Sequence, residues 1–106
     1  MSGPRMTIPT QLVLSAFLAD PEREVYGYEL SEAVGLATGT IHPILARLEG
    51  VGWLRSYWED LNPITAGRPA RRYYAITPLG VDAATAALRK ASQVRRGVPR
   101  PLPGLS

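Results

Sequence analysis

The side chains in this sequence that could do chemistry are hydroxylic, aromatic and cationic, and they fall into two groups. One runs Thr38-Gly39-Thr40-Ile41-His42-Pro43 and continues to Arg47. The other runs Gly67-Arg68-Pro69-Ala70-Arg71-Arg72. Threonine hydroxyls and free N–H groups at the front of a helix can hold a phosphate, or they can simply cap the helix. His42 could donate to a base edge or a phosphate. Arg47 could reach a nucleic-acid backbone or pair with Glu49 or another acid. Arg68 at a loop tip suits the minor groove, where negative potential concentrates; its plain alternative is a solvated arginine. Arg71 and Arg72 are adjacent in an extended run, so they point to opposite faces and at most one serves the same phosphates. Tyr26 and Tyr28 could place a hydroxyl on a phosphate, with at least one ring in the core.

What these residues cannot do narrows the field. The chain has no Cys and one His, so disulfides, thiolate metal sites and most histidine-dependent catalysis are excluded. His42 has no nucleophile and orienting acid at a recognisable spacing. No enzyme, metal or cofactor is expected. Charge points to a polyanion. From Met1 to Gly67 four arginines face eight carboxylates, whereas from Arg68 onward eight basic residues face only Asp82. The longest apolar stretch, Leu12 to Ala19, is far below the roughly 20 residues that a membrane span needs. A cytoplasmic location without membrane contact is expected.

The elements that must position these groups come next. A chain of 106 residues has room for one domain. Thr7 or Thr10 can cap a first helix that Asp20-Pro21 ends. Its stripe is Ile8, Leu12, Ser15, Ala16 and Ala19, widened by Val13 and Phe17, with Leu14 and Leu18 on another side. Apolar residues on nearly every face imply burial on two sides. The second side is either a partner subunit or a central position in one domain. Tyr26-Gly27-Tyr28 opens a second helix with the stripe Leu30, Ala33 and Val34, and Gly35 suits its C-cap.

Thr38 is the expected N-cap of a third helix, 38–51, with Ile41, Leu45, Leu48 and Val51 toward the core. Pro43 should delay its start to about Thr40 or kink it. Leu54 to Trp58 and Arg72 to Ile76 alternate as strands, and Trp53 and Trp58 read as packing residues. The loop between the strands, 59–71, is a restrained tip holding Pro63, Gly67 and Pro69. Thr77-Pro78 starts a last helix that runs to about Val94, with Val81, Ala84, Leu88 and Ala91 as a thin apolar stripe. Residues 95–106 read as a disordered, proline-rich tail. The fold class is mainly α with a small β-hairpin: a winged helix-turn-helix over 7–94, whose C-terminal helix, 77–94, is free to pair with a second copy.

These segments together resemble the PadR family of bacterial transcriptional regulators. The resemblance rests on Tyr26-Gly27-Tyr28-Glu29-Leu30, on Thr38 through Glu49, on Gly52-Trp53-Leu54 and on Trp58-Glu59. It continues through Gly67-Arg68-Pro69, Arg71-Arg72-Tyr73-Tyr74 and Ile76-Thr77-Pro78-Leu79-Gly80. The order and spacing of the set are specific, although each piece alone is weak. The resemblance implies a homodimer on operator DNA, usually a repressor, paired through its first and last helices. On this sequence those pairing residues are Leu12, Leu14, Leu18, Ala84, Leu88 and Ala91. It implies DNA contacts from Tyr26, Tyr28, Thr38, Gly39, Thr40, His42, Pro43, Arg47, Arg68, Arg71 and Arg72. It also leaves room for a small-molecule effector between the subunits. The short last helix resembles that of the family's small subgroup. Two positions depart from the family pattern, which usually has Tyr at His42 and commonly Arg or Lys at Ala70. The competing reading is a winged helix that binds an acidic protein partner.

Overall fold

A computed structural model describes residues 3–97. Helix α1 (Ile8–Ala19) starts at Thr7, whose hydroxyl accepts the Thr10 N–H at 3.3 Å, and carries Pro9 in its first turn. The two-residue strand β1 (Val25–Tyr26) leads directly into α2 (Gly27–Val34). Gly35 ends α2 in the left-handed region, with φ 73°, and its N–H donates to the Ser31 carbonyl at 2.9 Å. Helix α3 (Thr38–Gly50) follows, then β2 (Leu54–Trp58), the single turn α4 (Pro63–Ala66), β3 (Arg72–Ile76) and α5 (Pro78–Gly97).

The sheet is antiparallel in the order β1-β3-β2. Val25 lies opposite Tyr74, Ser56 opposite Tyr74 on the other side, and Trp58 opposite Arg72. One core joins all the layers. Val13, Leu14 and Phe17 of α1 meet Leu30 of α2 and Ile41, Ile44, Leu45 and Leu48 of α3. Trp53, Leu54, Tyr74, Ile76 and Ala84 close it from the sheet and α5. Each fully buried Leu in this set is worth about 1.5–3 kcal/mol.

The start of α5 is fixed against the strand below it. Thr77 caps the helix by accepting the Gly80 N–H at 2.9 Å, while its hydroxyl donates to the Gly52 carbonyl at 2.7 Å. Gly80 faces the Trp53 carbonyl so closely that a β-carbon there would sit 2.1 Å from its oxygen. Glycine is required at 80 by this approach of two backbones, not by its φ.

Several sequence expectations are corrected. The sheet has three strands rather than two, because Val25-Tyr26 pairs with the distant β3. Thr38 is already helical; Ala37 is the N-cap residue and no side chain caps α3. The helix neither starts late nor breaks at Pro43, which lies inside it. Ile44 joins the core, whereas Val51 and Ala33 are exposed. Trp53 packs, but Trp58 is 61% exposed. Leu14 and Ala84 are completely buried within the protomer, so neither offers surface to a partner. Helix α5 continues through 95–97, where the tail was expected, and the rest of that tail, 98–106, lies outside the described residues.

Candidate nucleic-acid interface

Helix α3 has two sharply different sides. Ile41, Ile44, Leu45 and Leu48 are buried, while Gly39, Thr40, His42, Pro43, Ala46 and Arg47 are exposed. Thr38, at the front, is half-buried. The Thr40 and Ile41 N–H groups both turn to the Ala37 carbonyl, at 2.9 and 3.1 Å, so the first turn is tight. Pro43 cannot donate to the Gly39 carbonyl one turn back. Gly39 has ordinary φ and nothing within 4 Å of where its β-carbon would be. The fold itself therefore does not demand glycine at 39, and the helix front stays bare backbone.

His42 is not a free arm. Its ring lies over the start of α2, where a β-carbon on Gly27 would come 2.8 Å from Cε1. Tyr28, one residue on, is exposed, and its phenol is held above its ordinary pKa chiefly by a hydrogen bond to Glu32. Tyr26 is half-buried in an aromatic row on the sheet. Its ring meets Tyr73 edge-on at 5.6 Å, and Tyr73 stacks on Tyr57 at 5.9 Å. Hydrogen bonding to the Glu24 carboxylate is the main cause that raises the Tyr57 phenol.

Arg71 and Arg72 do part to opposite faces. The Arg71 guanidinium lies 4.3 Å from the Tyr26 ring centre, a cation–π distance. Arg72 donates through Nε to Ser56 Oγ at 2.9 Å and reaches the Glu49 carboxylate of α3 at 3.5 Å. It thus ties the wing strand to the helix, with the Trp58 ring centre 5.5 Å away. Arg47 forms no ion pair among the described residues.

Arg68 follows the Gly67 cap of α4, at φ 71°, and precedes Pro69. It is not a loose tip. Nη1 and Nη2 donate to the two oxygens of Glu59 at 2.7 and 3.0 Å, and Nη1 also reaches the Pro69 carbonyl at 3.2 Å. The arginine fork holds the Glu59 carboxyl below its ordinary pKa, against the opposing effect of desolvation. Ile64 on α4 is 90% exposed beside it. Sequence reasoning gave Glu59 and Gly27 no role. The strand register could have found the first, since Trp58 opposite Arg72 puts Glu59 across from Arg71.

The residues expected to pair subunits fall into two sets. Leu12 is 42% exposed on α1, close in sequence to the exposed Ile8. Leu18, Leu88 and Ala91 are half-buried. Ala83, Ala87 and Ala91 of α5 line an open groove of about 470 Å³ with Met6 and Trp53, and Gln11 and Lys90 also border it. Among the described residues no helix is long and apolar enough to cross a membrane, and no group of acids and histidine is gathered as a metal site.

The profile of the transcriptional regulator PadR-like family matches residues 16–86. No curated protein matches the chain significantly. Among solved structures, a PadR family transcription regulator from Clostridium difficile is 24% identical, with TM-score 0.64 over 85% of this chain and 93% of that one. A PadR-like transcriptional regulator from Bacillus cereus is 23% identical, with TM-score 0.62 over 84% of this chain and 85% of that one. The Staphylococcus aureus MepR–DNA complex is 15% identical, with TM-score 0.61 over 84% of this chain and 67% of that one.

Proposed function

Because the chain belongs to the PadR-like family of transcriptional regulators, we propose that it is a DNA-binding regulator acting as a homodimer, most simply a repressor. One observation carries the reading: α3 buries one side completely and leaves Thr40, His42, Pro43 and Arg47 bare on the other. A helix of that kind can enter the major groove with its N-terminal residues at base edges. The bare Gly39 backbone and the exposed Thr40 suit close approach to a phosphate. Arg68 in the wing supplies a backbone contact. Arg71, stacked on Tyr26, and exposed Tyr28 flank the same unit. Arg72, held by Ser56 and Glu49, acts as a strut between wing and helix rather than as a contact.

The homodimer is supported by the exposed apolar residues of α1, Ile8 and Leu12, and by the alanine-lined groove along α5. A partner helix packed there would cover both. Whatever part of that space the partner helix left open would be where an effector lodges between the subunits. Two-fold symmetry then calls for an inverted-repeat site with half-sites about one helical turn apart.

Selection of bound sequences from a random duplex library tests this, with the mass of the protein in solution measured alongside. The expected result is an enriched inverted repeat and a dimer mass. Failure to bind any duplex even at low salt would favour the competing reading, an acidic protein partner for the basic wing.

A further inference from the structure

The contact between Glu59 and Arg68 looks at first like a lock that hides the wing cation. The donors say otherwise. A guanidinium has five N–H groups: two form a fork at its end, two a fork along its side, and one remains on Nη1. Glu59 takes the end fork, Nη1 and Nη2, at 2.7 and 3.0 Å. The second N–H of Nη1 goes to the Pro69 carbonyl at 3.2 Å. Among the described hydrogen bonds none uses Nε or the second N–H of Nη2. Those two are the side fork, and two parallel donors there match two oxygens of one phosphate. The Arg68 side chain keeps 35% of its surface exposed, against 21% for Glu59.

Glu59 is itself firmly held. Its N–H donates to the Arg71 carbonyl at 2.7 Å, and its carboxylate accepts the Arg71 N–H at 3.3 Å. It therefore closes the neck of the wing and presents its carboxylate from a fixed place. Pro69 restricts the backbone of Arg68 before it, and Gly67 is held by its N–H on the Pro63 carbonyl. Holding a long side chain in one orientation removes much of the ordering cost from binding.

We propose that Glu59 is a positioning residue, which grips the end of the Arg68 guanidinium so that its side fork faces a single backbone phosphate. This rests on the DNA-binding reading above. Glu59 also places a negative charge near the duplex, so deleting it has two opposite effects. Removing the charge strengthens attraction to DNA, and releasing Arg68 weakens the contact.

A double-mutant cycle separates these effects. Duplex binding is measured for the full chain, for Glu59→Ala, for Arg68→Ala and for the pair, with the salt dependence of each. The charge effect alone is read in the Arg68→Ala background. With Arg68 present, Glu59→Ala should gain less affinity, or lose it, by a factor on the order of three to ten relative to that background. Glu59→Asp should recover part of the difference. Glu59→Gln, which preserves the side-chain volume, repeats the cycle and should give the same sign even if the alanine variant folds poorly. A larger gain with Arg68 present would mean that Glu59 is a lock, and would overturn the proposal. Equal effects in both backgrounds would mean that Glu59 acts through its own charge and does not position Arg68, and would overturn it too. In both of those cases the parent still binds duplex, so the DNA-binding reading survives. A parent chain that binds no duplex takes both down.

Discussion

The His42 ring occupies the space that a side chain at Gly27 would need. A β-carbon at 27 would lie 2.8 Å from Cε1 and 3.3 Å from Nε2 of that ring. The contact joins the first turn of α2 to the exposed side of α3. It also accounts for the glycine between two tyrosines, since Gly27 has no positive φ to explain it.

Gly27→Ala should therefore fold but turn His42 aside. The ring is exposed and can move, and alanine favours helix over glycine, so the net change in stability should stay within about 1 kcal/mol. Duplex affinity should fall about as far as for His42→Ala, and the double variant should be no worse than either. Thermal melts and a binding titration of the three variants check this. Additive losses would show that the ring position does not matter for DNA.

Gly80→Ala should be far more damaging. The obstruction is the Trp53 carbonyl oxygen, which is backbone and cannot swing away. Overpacking of this kind costs about 1–3 kcal/mol or more, and each kcal/mol lowers Tm by about 4–8 °C in a domain this size. Calorimetry reads the shift. An unchanged Tm would mean that α5 docks differently on β2.

The Glu59 carboxyl should titrate below an ordinary glutamate, because the Arg68 fork stabilises its charged form. Its folded pKa is depressed, so its contribution is fully present above the unfolded value. That contribution is lost as pH falls through the lower, folded value. Arg68→Ala should move the titration back toward normal. Carbon-detected NMR titration of the side chain measures both.

Leu12→Asp should weaken the proposed homodimer without unfolding the protomer. Leu12 is 42% exposed, and a carboxylate there is solvated in a monomer but buried at a subunit interface. Sedimentation across a concentration series should show monomer where the parent shows dimer. Leu14→Asp is the contrasting control: Leu14 lies in the core, so that variant should fail to fold.

What was legible in the sequence was mostly local. Thr77-Pro78 marks a helix start and Gly35 a helix end because the signals lie within one turn of the event. The opposite faces of Arg71 and Arg72 follow from strand geometry alone. The family resemblance was legible too, and the family profile matches residues 16–86. What was not legible depended on distant partners. Val25-Tyr26 is too short to signal a strand, and only β3 makes it one. Leu14 and Leu12 belong to the same helix, and periodicity could not say which was the core and which the surface. The pairing of Glu59 with Arg68 spans the wing loop, and nothing within either short stretch announces it.

Tyr26 is both the last residue of β1 and the residue that caps the start of α2. No linker separates sheet from helix at that point, so a tilt of one is transmitted to the other through a single peptide. Under the proposed DNA-binding function, the sheet and the helix pair would therefore be offered to a duplex together rather than one after the other.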